Sequence, residues 1–342
     1  MGGERVSGVT KIQWTDRTWN AGIFGCSKVS EGCRNCYAMT MAARIAGAAD
    51  AREAREGRGA LTARQRAYQS VVRRTAGPGG QSTRGSGGRF VPLRVSDGRP
   101  VGEWNNTIIV DENDPEIMAP LRARAPARWF VDSMHDWFHP DVPFAHLDRL
   151  FAVMALSAER GHVFQVLTKR PERMAEYLTR EETVDAINQQ IDDVGDRSGV
   201  MIGGEFDGRA WPLPNVWLGT SCEDQAAWDE RVPHLLRCPA AVRFVSAEPL
   251  LGPIDVSDGV PWGDHDEAAK VDWIIVGGES GPGSRPMDPA WARGIRDQCR
   301  AAGVSFFMKQ MGGRSGHKGA IEDLPEDLRI REFPVGGGSR QP

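Results

Sequence analysis

Three of the six cysteines fall within eleven residues, Cys26, Cys33 and Cys36, in a C-x6-C-x2-C arrangement. Thiolates so close in sequence suit metal chemistry in a reducing compartment better than a disulfide framework, for which six cysteines in 342 residues are too few. Three thiolates are one short of closing a tetrahedral zinc site, and they are the number a [4Fe-4S] cluster needs when one iron is left open for a ligand. A zinc site completed by a distant histidine, such as His135 or His139, fits the same spacing and stays open at this point. Three packing thiols fit less well, because Gly32 and the polar neighbours make a poor core segment. Cys222, Cys238 and Cys299 are scattered and read as packing residues.

A second set of chemical groups recurs at one kind of position. Short apolar runs end repeatedly in polar residues: Asp132, Ser133, His135 and Asp136; Thr168, Lys169 and Arg170; Thr220, Ser221 and Glu223; Ser246 and Glu248; Gly277, Gly278, Glu279 and Ser280; Lys309 and Gln310. In a barrel of parallel strands, side chains at the carboxyl ends converge on one mouth while the interior is packed. The Gly277-Gly278-Glu279-Ser280 turn allows a close backbone approach to a ligand, and its carboxylate can bind an ammonium. Lys169 and Arg170 can anchor a carboxylate or phosphate.

The elements that must position these groups follow from the same runs. Strands are expected at 129–132, 163–168, 216–220, 242–246, 273–276 and 305–308, with a weaker one just before Cys26. Helical spacing of Leu147, Leu150, Phe151, Met154 and Ala158 gives one crossover, and Trp228, Val232, Leu235 and Leu236, after a start at Asp224, give another. Asp288 as cap, Pro289 in the first turn and Gly303 as terminator mark a third. A helix is also expected from Tyr37 to Ile45. This alternation implies an α/β protein with a partial TIM-type (β/α) barrel of parallel strands, one catalytic domain over residues 1–313 and a loop-like tail over 314–342. Two insertions interrupt it. Residues 47–105 are Arg- and Gly-rich, with 11 Arg against Glu53, Glu56 and Asp97 between 51 and 100, and Gly77 to Gly88 reads as a loop. Residues 179–211 carry an acidic helix-like piece and Gly203-Gly204.

Composition bounds the classes. A chain that is 40% apolar builds a core, and a net charge of -4 from 42 basic and 46 acidic residues excludes a uniformly basic nucleic-acid coat. No run approaches the roughly 20 apolar residues of a membrane span, and the start MGGERVSGVTK lacks a signal peptide's apolar segment. A cytoplasmic protein is the expectation.

The segment KIQWTDRTWNAGIFGCSKVSEGCRNCYA, with VDSMHDWFHPDVP, VFQVLTKRPERM, VWLGTSCED, RFVSAEPLLGPID, VGGESGPGSRPM and FFMKQMGG, resembles the phage Gp37/Gp68 family of three-cysteine proteins, also called DUF5131. The matching blocks run in order from Lys11 to Gly313, missing only the two insertions. That family is grouped with the radical SAM superfamily. The resemblance implies a [4Fe-4S] cluster held by Cys26, Cys33 and Cys36, with S-adenosylmethionine on the open iron and a 5'-deoxyadenosyl radical that takes a hydrogen from the substrate. It further implies that Ser133, Ser221, Glu248, Gly277, Gly278, Glu279 and Ser280 contact S-adenosylmethionine. Lys169, Arg170, Lys309 and Gln310 would then face substrate or the methionine carboxylate, and a flavodoxin- or ferredoxin-type donor would supply the electron. The usual superfamily loop is C-x3-C-x2-C with an aromatic just before its last cysteine. Here the first gap is six residues, Asn35 fills that place and Tyr37 follows.

The Arg-rich stretch is the feature that points to a partner: arginines can steer phosphate chains by local field, and Trp14, Trp19, Trp104 and Trp137 are candidates for stacking bases. DNA or a nucleoside is the expected substrate. The same radical chemistry on a small metabolite or peptide, and a non-catalytic zinc protein that binds nucleic acid or a partner, are the alternatives.

Overall fold

The computed structural model describes residues 8–74, 102–198, 211–259, 270–281, 283–313 and 319–334. Gly77 to Gly88 and Gly203-Gly204 therefore lie outside the described residues. The chain divides into two compact units, Met1–Ala21 with Glu112–Pro342, and Gly22–Asp111.

The first unit is a mixed α/β structure built on one sheet: β1 (Gly8–Val9), β2 (Arg17–Trp19), β3 (Arg128–Val131), β4 (Val163–Thr168), β5 (Val216–Ser221), β6 (Val242–Ala247), β7 (Trp273–Gly277) and β8 (Ser305–Gln310). The spatial order follows the chain order. The short strand β1 is antiparallel to β2, and β2 to β8 are all parallel. Strands that add one after another to the same edge need a crossover each time, and helices supply most of them. α1 (Phe144–Leu156) joins β3 to β4, α2 (Pro171–Leu178) and α3 (Thr183–Ser198) lie between β4 and β5, α4 (Gln225–Arg237) joins β5 to β6, and α5 (Pro289–Ala302) joins β7 to β8.

The termini of these helices follow from their sequences. Asp224 and Asp288 accept from the first-turn N–H groups of Ala227 and Ala290, Pro289 sits where its missing N–H costs nothing, and Gly303 ends α5 in the left-handed region at φ 67°. All six expected strands are present. Strand β2 was not legible, since three residues are too short to reveal a two-residue period. The run before Cys26 is a strand, Ile23–Phe24, but it pairs with Ile109–Val110 in the second unit.

The sheet curls into a half-barrel. In a flat sheet β3 and β7, four strands apart, would be separated by about 19 Å. Yet one ring, Trp14, lies 4.6 Å from Phe130 of β3 and 6.2 Å from Trp273 of β7. Around this plug pack Val163, Trp217, Val242, Phe244, Ile275 and Phe307. Gly219 belongs to the same fit, because a Cβ there would strike the Phe244 ring. The outer edge of β8 is covered: Met308 and Glu332 donate backbone hydrogen bonds to Ile330 and Phe306, at 2.8 and 3.0 Å.

In the second unit, the helix Tyr37–Glu56 runs through residue 47, where an insertion was expected to begin. A second helix, Ala63–Val71, starts with a capping box of Thr62 and Gln65. Two further strands, Val72–Arg74 and Gly102–Trp104, pair antiparallel. Ala42, Ala43, Ala46, Ala49, Phe24, Tyr68 and Val71 form its buried interior.

Candidate functional site

The carboxyl ends of the parallel strands carry a contiguous rim of ion pairs. After β3, Asp136 is a hub: it accepts from Thr168 Oγ1 at 2.7 Å, Arg170 Nη1 at 2.7 Å, the Lys169 amide at 3.2 Å and the Phe138 amide at 3.0 Å. These bonds lock the end of β4 to the loop after β3. The expected anchor Arg170 is thereby committed to Asp136.

Next along the sheet, Lys169 Nζ reaches Glu223 Oε2 at 3.3 Å, and Arg231 of α4 reaches the same oxygen at 3.0 Å and the Ser221 carbonyl at 2.7 Å. Lys309 Nζ of β8 pairs with Oε1 of Glu248, the residue after β6, at 2.8 Å, and Ser246 Oγ lies 3.4 Å from the other carboxylate oxygen. Lys169, Glu223 and Glu248 thus follow three neighbouring strands, and Lys309 meets Glu248 from β8, on the far side of β7. Their side chains keep between 2% and 20% of their exposure, so these pairs interact in a medium less screening than bulk water.

The glycine turn has an internal explanation. A Cβ on Gly277 would meet the Glu248 carboxylate, and one on Gly278 would meet the backbone of Gly312. Both glycines are therefore required by close packing within the chain, and Gln310 ties the turn down by donating to the Gly278 carbonyl at 2.9 Å. Glu279, expected to meet an ammonium, is buried and binds Arg285, whose amide, Nε and Nη2 donate at 2.8, 3.1 and 2.6 Å. Ser280 is exposed. Ser133 is held by Asn20, whose amide nitrogen donates to its Oγ at 2.9 Å.

Beneath the rim lies a buried acid. Asp132 has φ 73°, a left-handed conformation that aspartate tolerates better than most residues. Burial, followed by the nearby charge of Asp136, pushes its carboxyl well above the ordinary range, while the Trp137 amide, at 3.0 Å, pulls the other way. His135 Nδ1 is 3.0 Å away, with both side chains fully buried. Trp14, Trp19, Trp104 and Trp137 are buried as well, so their expected use as base-stacking surfaces gives way to core packing.

The cysteines divide into two classes. Cys222, Cys238 and Cys299 are buried, and burial pushes each thiol up to about 12. Cys26, Cys33 and Cys36 are partly accessible and none is in a disulfide. Cys33 ends a 3-10 turn, Glu31–Cys33, and Cys36 is the N-cap of the 20-residue Tyr37–Glu56 helix. As a donor set, three sulfurs from one short segment suit thiolate-bound iron. Among the described residues no group of three or more His, Cys, Asp or Glu side chains is gathered as a metal ion's ligands.

Residues 9–80 and 92–328 match the family described as a protein of unknown function, DUF5131. The chain belongs to the DUF5131 family. No curated protein and no solved structure matches it. The family match takes in Cys26, Cys33 and Cys36 together with every rim residue named above.

Arg231, Arg285 and Asn20 were missed in the sequence. Arg231 had a signal: it follows Trp228 by three residues and precedes Leu235 by four, which places a charge on the buried face of α4. Such a charge calls for a buried partner. No helix among the described residues is long and apolar enough to cross a membrane.

Proposed function

We propose that this DUF5131 member is a radical S-adenosylmethionine enzyme acting on a nucleic-acid base or nucleoside. The observation that carries the proposal is the sorting of cysteines: three thiols are buried, and the three partly accessible ones share the eleven residues that lead into one helix. Cys26, Cys33 and Cys36 would hold a [4Fe-4S] cluster, and the positive end of the Tyr37–Glu56 helix favours an anionic centre beside Cys36. When bound and reduced by a flavodoxin- or ferredoxin-type donor, that cluster supplies the electron that cleaves the sulfonium of S-adenosylmethionine.

The chain's own contribution is position and exclusion of water. The aromatic plug around Trp14 fills the half-barrel interior, which leaves the strand ends as the face for a ligand. There Asp136 fixes Thr168, Lys169 and Arg170, and the Glu248–Lys309 pair offers one acceptor and one donor group side by side. Glu279 is fixed by Arg285 before any ligand arrives.

A polyanionic substrate is supported by the second unit. Along the exposed side of the Tyr37–Glu56 helix lie Tyr37, Arg44 and Arg55, flanked by Arg34 and Arg58. Exposed arginines and an exposed aromatic beside the cysteines suit a nucleic-acid backbone and a base.

Anaerobic purification tests the reading. Brown protein with about four irons and four sulfides, lost in Cys33→Ala, is expected, followed by 5'-deoxyadenosine when reduced protein meets S-adenosylmethionine. Colourless protein with a single zinc, or no 5'-deoxyadenosine from fully loaded protein, rejects it. Retention of DNA that falls when Arg44 and Arg58 are changed to alanine supports nucleic acid over a small metabolite or peptide.

A further inference from the structure

Beyond the end of β5 the rim carries a trio rather than a pair. Buried Glu223 takes Arg231 through Nη1 at 3.0 Å and Nη2 at 3.5 Å, and Lys169 through Nζ at 3.3 Å. One carboxylate facing two cations leaves the buried trio at +1; Glu230, 4.0 Å from Arg231 Nε, is 75% exposed and its charge is screened by water. The neighbouring pairs Asp136–Arg170, Glu248–Lys309 and Glu279–Arg285 are each neutral, and Asp224 caps α4 on the Ala227 amide.

The two cations are not equivalent. Arg231 is 5% exposed and also bound to the Ser221 carbonyl, whereas Lys169 is 18% exposed and makes the longer contact. Arg231 therefore neutralises Glu223 from the buried side, and the surplus charge sits on the lysine that a ligand can reach. A partly desolvated cation that shares its counter-ion carries a standing cost, which an arriving anion offsets.

Resting on the reading that the strand ends hold the ligand, we infer that Arg231 is a positioning residue that leaves the Lys169 ammonium to bind an oxyanion group of that ligand, a carboxylate or a phosphate. Lys169 touches the ligand, and Arg231 acts through Glu223. The carboxylate thus divides its charge between two cations: with Arg231 in place less of it falls on Lys169, and without Arg231 it would take Lys169 for itself.

Calorimetric titration of the anaerobically purified full chain with inorganic phosphate, and separately with acetate, at low ionic strength tests this. Saturable binding of at least one is expected. Tighter phosphate assigns a phosphate group, and equal or tighter acetate assigns a carboxylate. Lys169→Met should weaken binding roughly tenfold or more. Arg231→Met should weaken it comparably although Lys169 is still present, and Glu223→Gln, which adds a net charge, should tighten it several-fold. A purely structural Arg231–Glu223 pair gives no such gain, so the opposite signs separate the two roles. Lys270→Met, at an exposed position, should leave binding unchanged. If Arg231→Met does not fold, Lys169→Met and Glu223→Gln decide the matter. No saturable binding, unchanged binding in Lys169→Met, or weaker binding in Glu223→Gln overturns the inference. The titration needs no iron, so its failure and the failure of the cluster reading are distinguishable.

Discussion

At the scale of single residues, carboxylates organise the rim and each is met by a named cation. Asp136 is the most connected: three of its four bonds join the loop after β3 to the end of β4 and the start of α2, and Arg170 is only 12% exposed. Asp136→Asn leaves that guanidinium without its counter-ion, so urea unfolding should register a loss of about 3 kcal/mol; a change below about 0.5 kcal/mol, the size of an ordinary surface substitution, would show that water replaces the pair at no cost. Thiol chemistry provides a second check. Folded, cluster-free protein treated with a small maleimide should react at Cys26, Cys33 and Cys36, while Cys222, Cys238 and Cys299 label only on unfolding, because burial raises their thiols to about 12. Fast native labelling at Cys222 would contradict the sorting of cysteines on which the proposed function stands. The rim positions were legible as polar residues ending apolar runs. Their pairing was not, since nothing in a one-dimensional pattern says that Arg231 of a helix meets Glu223 of a loop.

At the scale of elements, the strands and helices were read from two periods and from caps, and they hold where those signals are long. Three of the structure's features lay beyond that reading. Strand β2 is three residues, the Tyr37–Glu56 helix continues through alanine-rich sequence that carries little amphipathic contrast, and the stretch over 319–334 pairs with β8 through backbone groups. The plug is an element-scale device as well. Trp14 comes from the short connection between β1 and β2 and touches Phe130, Phe244 and Trp273. Trp14→Ala should lower stability by about 3–5 kcal/mol through the cavity it leaves, measured by denaturant titration. A loss under 1 kcal/mol would mean that the half-barrel collapses onto the space or never depended on the ring. Gly278→Ala should also be costly, since its Cα packs on Gly312, and the far-ultraviolet circular dichroism melt is the readout.

At the scale of the molecule, buried histidines couple stability to pH. His162 is fully buried; its Nδ1 accepts from the Ala127 amide at 3.2 Å, and its Nε2 lies 3.2 Å from the Pro120 carbonyl. That arrangement needs the neutral ring. Burial is the largest cause holding His162 below the usual 6.5, and the same holds for His146. A group depressed in the folded state contributes stability above its unfolded value and loses it as pH falls through the folded one. Thermal midpoints should therefore drop as pH goes below about 6.5. The drop should be shallower in His162→Gln, a difference in which the other titrating groups cancel. Parallel curves for the two proteins would remove His162 from the account.

By itself the sequence determined the local order: which runs become strands, where helices start and stop, where polar groups fall relative to strand ends, and which cysteines stand together. These are properties of neighbours along the chain, governed by side-chain periodicity, capping and turn chemistry. Tertiary structure alone decided the rest. Curling the sheet brought β3 and β7 against a single indole, closing the inside and making the candidate Trp14 part of the core. It also filled the space beside Gly277 and Gly278, and it set one carboxylate between Lys169 and Arg231. Those outcomes depend on distances between residues far apart in sequence, and only the packed chain specifies them.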